Sequence, residues 1–158
     1  MKANYLFPNR FKKVGWMLLL PSAVLGVLVL FFDLEFDFLD GRIFTLYSGE
    51  FLGEEGEFFK LFSGNYTKTI VGLLFLIGAI LVAFSKEKHE DEFVSKIRLE
   101  SLVWAIYINY LILGICFLLF YDLDFLMVMI LNMFTILIFF IIRFYYSLYQ
   151  AKKQLSYE

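Results

Sequence analysis

Cysteine and histidine are nearly missing from this chain, and carboxylates are missing from the segments where a membrane enzyme would need them. The 158 residues include one cysteine, Cys116, and one histidine, His89. A single cysteine excludes an intrachain disulfide, and it excludes the cysteine pairs of a quinone-linked thiol relay. With one histidine beside it, a Cys/His metal cage lacks ligands. His89 sits among Glu87, Glu90, Asp91 and Glu92. That stretch has neither HExxH nor Glu-x-x-His spacing, so it predicts a solvated histidine and no metal site. Haem-carrying bundles need axial ligands on their helices, and none of the apolar runs holds a histidine. Covalent hydrolysis needs a nucleophile beside a base, and the apolar runs offer Ser22 no base. A proton-coupled pump of the small multidrug type needs a buried carboxylate, and the runs contain none. The expectation is a non-enzymatic protein with no catalytic residue, cofactor or metal.

What is present in excess is apolar length. The chain is 61% hydrophobic with 21 phenylalanines, and its mean hydropathy is +0.74. That is well above the apolar share of ordinary soluble domains. Four runs carry the excess: 15–32, 67–84, 102–120 and 125–142. A helix needs about 20 residues to cross about 30 Å of hydrocarbon. Backbone polar groups without water must satisfy one another, so helices are the economical form. Lys68 is the one Lys, Arg, Asp or Glu inside any run. Polar stripes at helical spacing, the mark of a soluble bundle, are missing. The prediction is an all-α, single-domain membrane protein of four transmembrane helices in two antiparallel hairpins. The first run extends beyond an ordinary signal core through VLGVLVLFF, which predicts an uncleaved anchor.

Basic residues set the expected orientation. Of 14 lysines and arginines, 11 fall in 1–14, 85–101 and 143–158, leaving Arg42, Lys60 and Lys68 for the other side. Both termini and the 85–101 loop are therefore expected in the cytoplasm, with Trp16 and Trp104 as interface anchors. The 33–66 loop faces outward. It opens on DLEFDFLDGR, whose alternation from Asp33 to Phe38 predicts a short extended segment with Asp40-Gly41 turning into RIFTLYS. That pattern suggests a small hairpin lying on the membrane surface; the alternative is a short interfacial helix at GEFFKLFSG. The acidic positions 33, 35 and 37 fail as a calcium loop, because Phe38 and Phe44 stand where glycine and glutamate are required. NYT at Asn65 has the form of an N-glycosylation acceptor.

Within 85–101 the charges follow a helical pattern continuous with the third run. Phe93, Ile97 and Trp104 share one face, and Glu92, Lys96 and Glu100 form an i, i+4 ladder. With Arg98, that ladder supplies the interaction candidates. In the membrane, the short YDLD connector sets Asn109 level with Thr135, a predicted interhelical hydrogen bond, and sets Asn132 level with Leu113 and Gly114. Ser22 with Gly26, and Ala79 with Ala83, are spaced for close helix approach, and Pro21 interrupts the first helix.

The stretch DEFVSKIRLESLVWAIYINYL resembles the acidic-then-basic juxtamembrane helix of small bacterial four-helix membrane proteins of unknown function, whose genes often lie beside helix-turn-helix regulators. The resemblance covers 91–111 and the paired-hairpin layout. It implies a bacterial inner-membrane location and a regulatory or accessory partner, and carries over no catalytic residue. The expected partners are the lipid bilayer and another membrane or cytoplasmic protein, or a second copy of the chain, with no nucleic acid. The rival expectation is a small oligomeric transporter or channel-like protein whose path is lined by Asn109, Asn132, Tyr107 and Tyr110.

Overall fold

The computed structural model describes residues 5–48, 57–88 and 90–155. It is mostly helical. The helices are α1 (Asn9–Phe32), α2 (Thr67–Ala83), α3 (Glu92–Leu119) and α4 (Asp122–Leu155), with strands β1 (Asp40–Ser48) and β2 (Glu57–Asn65) between α1 and α2. Three helices are long and apolar enough to cross a membrane: α1, α3 and most of α4. The expected second span is shorter than the others. Its 17 residues reach only about 25 Å at 1.5 Å per residue, somewhat under the usual hydrocarbon thickness.

The chain divides into two compact units, Leu20–Phe75 and the segments Met1–Leu19 with Leu76–Glu158. In the first, β1 and β2 pair antiparallel from Asp40↔Asn65 to Ser48↔Glu57. A hairpin is present and includes RIFTLYS, but its partner strand is Glu57–Asn65 and not 33–38. The GEFFKLFSG segment is a strand from Glu57 onward and not an interfacial helix, and Asp40-Gly41 opens β1 instead of turning. The register explains why 33–38 cannot be the strand. Residues before Asp40 would have to pair beyond Asn65, where α2 begins at Thr67. They form instead a bend at Asp33, with φ 46°, and a 3-10 turn over Asp37–Leu39.

Asn65 closes the base of this hairpin. Its amide nitrogen donates to the Phe36 carbonyl (3.0 Å) and to Asp40 (2.8 Å), while its oxygen accepts from the Thr67 N–H (2.9 Å). The nitrogen a glycan would occupy is thus committed to the fold. Asp33 and Glu35 face Lys68 at 3.0 and 3.9 Å, so two of the acidic positions that suggested calcium have a cation of their own.

In the other unit, α3 and α4 are joined through Phe120 and Tyr121 and pack along their lengths. The buried stripe of α3 is Val94, Ile97, Arg98, Ser101, Ala105 and Asn109, a repeat of three and four residues that keeps one face inward. Phe93 and Trp104 are 53% and 40% exposed, so they do not share the buried face of Ile97. On α4 the inward positions are Phe140, Ile141, Phe144 and Leu148. Phe140 stacks between Phe84 and Phe144 at 5.8 and 5.9 Å. Outward, side chains such as Leu118 and Leu119 are about 70% exposed, the distribution expected where lipid is the solvent.

Glycine, more than the anticipated small-residue pairs, makes the tightest approach. A Cβ on Gly78 would lie 2.7 Å from the Leu19 backbone nitrogen, and one on Gly15 would lie 2.9 Å from that of Val82. Ala79 and Ala83 are fully buried, whereas Gly26 has only an ordinary 3.8 Å neighbour in Val71.

Candidate functional site

Two groups of polar side chains stand out against the apolar background. The first lies midway along α3 and α4. Thr135 Oγ1 donates to Asn109 Oδ1 at 2.8 Å, and Asn109 Nδ2 donates to Asn132 Oδ1 at 3.2 Å. The predicted Asn109–Thr135 pair is therefore in contact. The expected separation of Asn132 is not: its side chain, one turn from Thr135 on the same face of α4, reaches the same amide. Thr135 also approaches the Asn132 carbonyl at 3.0 Å, so its single hydroxyl proton serves one of two acceptors. Asn109 is 2% exposed and uses both ends of its amide. Asn132 and Thr135 are half-buried. Tyr107 and Tyr110 are 72% and 63% exposed and do not join these three.

The second group lies where the N-terminal segment, the α2–α3 connector and the far end of α4 converge. Backbone bonds set the frame: the Phe7 N–H donates to the Phe84 carbonyl, and the Lys86 N–H donates to the Phe7 carbonyl, both at 2.9 Å. Asn9 Nδ2 adds a 2.6 Å bond to the Lys86 carbonyl. Asp91 caps α3 by accepting from the Val94 N–H at 2.8 Å.

Arg98 is the hub of this junction. Its Nη2 meets both Glu90 carboxylate oxygens at 2.9 and 3.1 Å, and its Nη1 donates to the carbonyls of Ser85 and Ala83 at 3.2 and 3.3 Å. The guanidinium carbon lies 4.8 Å from the centre of the Phe144 ring. Carbonyls at the end of α2 lack intrahelical partners and carry the negative end of the helix dipole, so a cation there satisfies both needs. The sequence expectation of Arg98 as an exposed interaction residue is thereby corrected: it is 8% exposed and spent on the fold. The ladder residues differ. Lys96 and Glu100 are 75% and 66% exposed and only 3.9 Å apart, a weak solvated pair. Glu92 begins the same ridge in the first turn of α3.

Lys12 holds Glu87 at 2.6 Å and lies 4.7 Å from the Tyr145 ring centre. Lys12 precedes the apolar run that starts at Gly15. Burial lowers its pKa, but the hydrogen bond to Glu87 and the neighbouring Tyr145 outweigh that, and the net shift is upward. The Trp16 ring packs on Tyr145 at 5.7 Å, and Arg143 sits 5.3 Å from the Trp104 ring centre. Both tryptophans thus meet the same turn of α4. Sequence reading missed Lys12, Glu87, Glu90 and Tyr145 as a cluster, because they are far apart in the chain and no spacing rule links them. Among the described residues no group of three or more His, Cys, Asp or Glu could hold a metal ion, and His89 lies outside them.

Comparison of the chain with protein-family models, curated proteins and solved structures finds no match.

Proposed function

We propose that this chain is a multi-pass protein of the bacterial cytoplasmic membrane that acts by interaction and not by catalysis, as an accessory subunit or regulatory partner of another protein. In this reading four helices cross the bilayer as two antiparallel pairs, with both termini and the α2–α3 connector in the cytoplasm. The basic asymmetry of 11 residues to 3 supports the orientation. A fourth span is supported by α2, whose residues after Lys68 are wholly uncharged. Its length lies at the lower end of the roughly 17–25 residues that suffice to span.

The observation that carries the interaction reading is the contrast between inward and outward polar groups. Asn109 is bonded at both ends of its amide by Asn132 and Thr135, and the two Arg98 Nη atoms are bonded to Glu90 and to backbone carbonyls. The charged ridge of Glu92, Lys96 and Glu100 instead faces solvent beside the membrane end of α3, where a partner can read it. The buried Asn109 amide, bonded at both ends, weighs against the rival water-filled path, which needs it open to a lumen. Charge reversal tests the proposal. Glu92→Lys with Glu100→Lys should abolish co-purification of the partner, or of a second tagged copy, in mild detergent, while membrane insertion is unchanged. Undiminished recovery would remove the ridge as the interaction surface.

A further inference from the structure

The junction also borders a cleft, open to solvent, of about 360 Å³, within the range of about 300–1,000 Å³ usual for small-ligand pockets. Its walls include Lys12 and Lys13 from α1, Lys88 from the connector and Lys152 from α4, with one acid, Glu87. Lys12 and Glu87 neutralise each other at 2.6 Å. Lys13, Lys88 and Lys152 have no carboxylate partner among the described residues. Three segments distant in sequence therefore bring three solvent-exposed lysines without carboxylate partners to the wall of one cleft. Mutual repulsion makes such an arrangement unfavourable by itself and favourable around an anion. The remaining walls are Asn9, whose amide is bonded to the Lys86 carbonyl, and the apolar or amphipathic Trp16, Val94 and Leu148.

We propose that this cavity binds the phosphodiester headgroup of an anionic phospholipid, with Lys13, Lys88 and Lys152 surrounding the phosphate and Trp16 packing at the glycerol level. Lysine serves phosphate as a mobile point charge, and three of them on separate elements enclose it without a fixed fork. The apolar walls favour a lipid over a free anion. A soluble phosphate gains nothing from Trp16, Val94 and Leu148, whereas a headgroup entering from the bilayer must pass beside them. Trp16 stands one residue inside the 15–32 run, at the depth where indole rings anchor to the interface. Basic pockets between membrane helices are known to take such headgroups. The proposal rests on the apolar runs lying in a bilayer and is independent of the protein partner.

The test uses the full chain in phosphatidylcholine nanodiscs doped with phosphatidylglycerol, with retained lipid read by native mass spectrometry after release into detergent. Wild type should retain phosphatidylglycerol selectively. Lys88→Gln should weaken retention about fivefold, and Lys13→Gln/Lys88→Gln/Lys152→Gln should lower it by about two orders of magnitude, from the worth of a lysine near an anionic surface. The control Arg10→Gln/Lys86→Gln/Lys153→Gln removes the same charge from equally exposed positions that do not line the cleft, and should retain lipid like wild type. Equal loss in both triple variants would replace the pocket with a diffuse electrostatic field and overturn the proposal. Equal retention in wild type and the pocket triple would overturn it as well. Competition by glycerol phosphate or inorganic phosphate at concentrations comparable to the lipid would assign the cavity to a soluble anion and not a lipid. Failure of the membrane reading is separately visible, because the chain would then stay in solution without detergent or nanodiscs.

Discussion

Removing Arg98 should loosen the junction more than any other single polar change, and the structure says by how much. Its side chain is 10% exposed and that of Glu90 17%, so the pair is screened little by water. Breaking a buried ion pair by deleting one partner costs about 3–5 kcal/mol, and the residual exposure points to the lower end of that range. Arg98→Met gives up the Glu90 contacts and the bonds to Ala83 and Ser85, but fills the space with an apolar chain, so about 3 kcal/mol is expected. Glu90→Gln should cost less, about 1.5 kcal/mol, because the amide oxygen still accepts from Arg98 while the charge is gone. The double variant should lose about 3 kcal/mol and not the sum, since the second change removes a partner already idle. Arg98→Lys should fall between wild type and Arg98→Met, keeping the charge but losing the planar pair of nitrogens that reaches Glu90 and the carbonyls together. Unfolding in mixed micelles titrated with dodecyl sulfate, followed by tryptophan fluorescence, reads these differences through Trp16 and Trp104. Losses in the double variant that equal the sum of the singles to within about 0.5 kcal/mol would show that the pair is not coupled. A loss under about 1 kcal/mol for Arg98→Met would refute its assignment as the hub.

The same unfolding assay should give about 1–2 kcal/mol for Asn109→Leu, two membrane hydrogen bonds at about 0.6 kcal/mol or slightly more each. Combination with Thr135→Val should be less than additive, and strict additivity would sink the Asn109–Thr135 contact. Gly78→Val places a branched side chain where a Cβ alone would lie 2.7 Å from the Leu19 backbone. It should cost about 1–3 kcal/mol by overpacking, while Gly114→Ala, with nothing within 4 Å of its added carbon, should be near neutral; equal effects at both glycines would refute the close crossing. In a Cys116→Ser background, Glu35→Cys and Lys153→Cys should react with an impermeant maleimide from opposite sides of the membrane. Labelling of both from one side would refute the four-span topology.

The helical character, the three long apolar helices and the connection of 92–101 to the third run are properties of composition and period, and the sequence alone determined them. Apolar length reports the solvent around a helix without reference to any other element. The Asn109–Thr135 contact was also legible, because a short connector fixes the register of two helices folded back on each other. The hairpin was misplaced by several residues. Alternation marks a strand-like stretch, but only pairing decides which stretch becomes the strand, and Asn65 beside the start of α2 sets that limit. The close approach belongs to Gly15 and Gly78, because what matters is the backbone on the opposite helix and not the four-residue spacing within one. Arg98 belongs to the interior for the same kind of reason: periodicity put it beside Glu92, Lys96 and Glu100, but the end of α2, with its unpaired carbonyls and the Glu90 carboxylate, is what faces it. The cavity between Lys13, Lys88 and Lys152 exists only in the folded chain, since no local pattern relates residues so far apart. Local patterns determined which segments are helices and which solvent they meet; convergence of distant segments decided where their charges are spent and where they are left over.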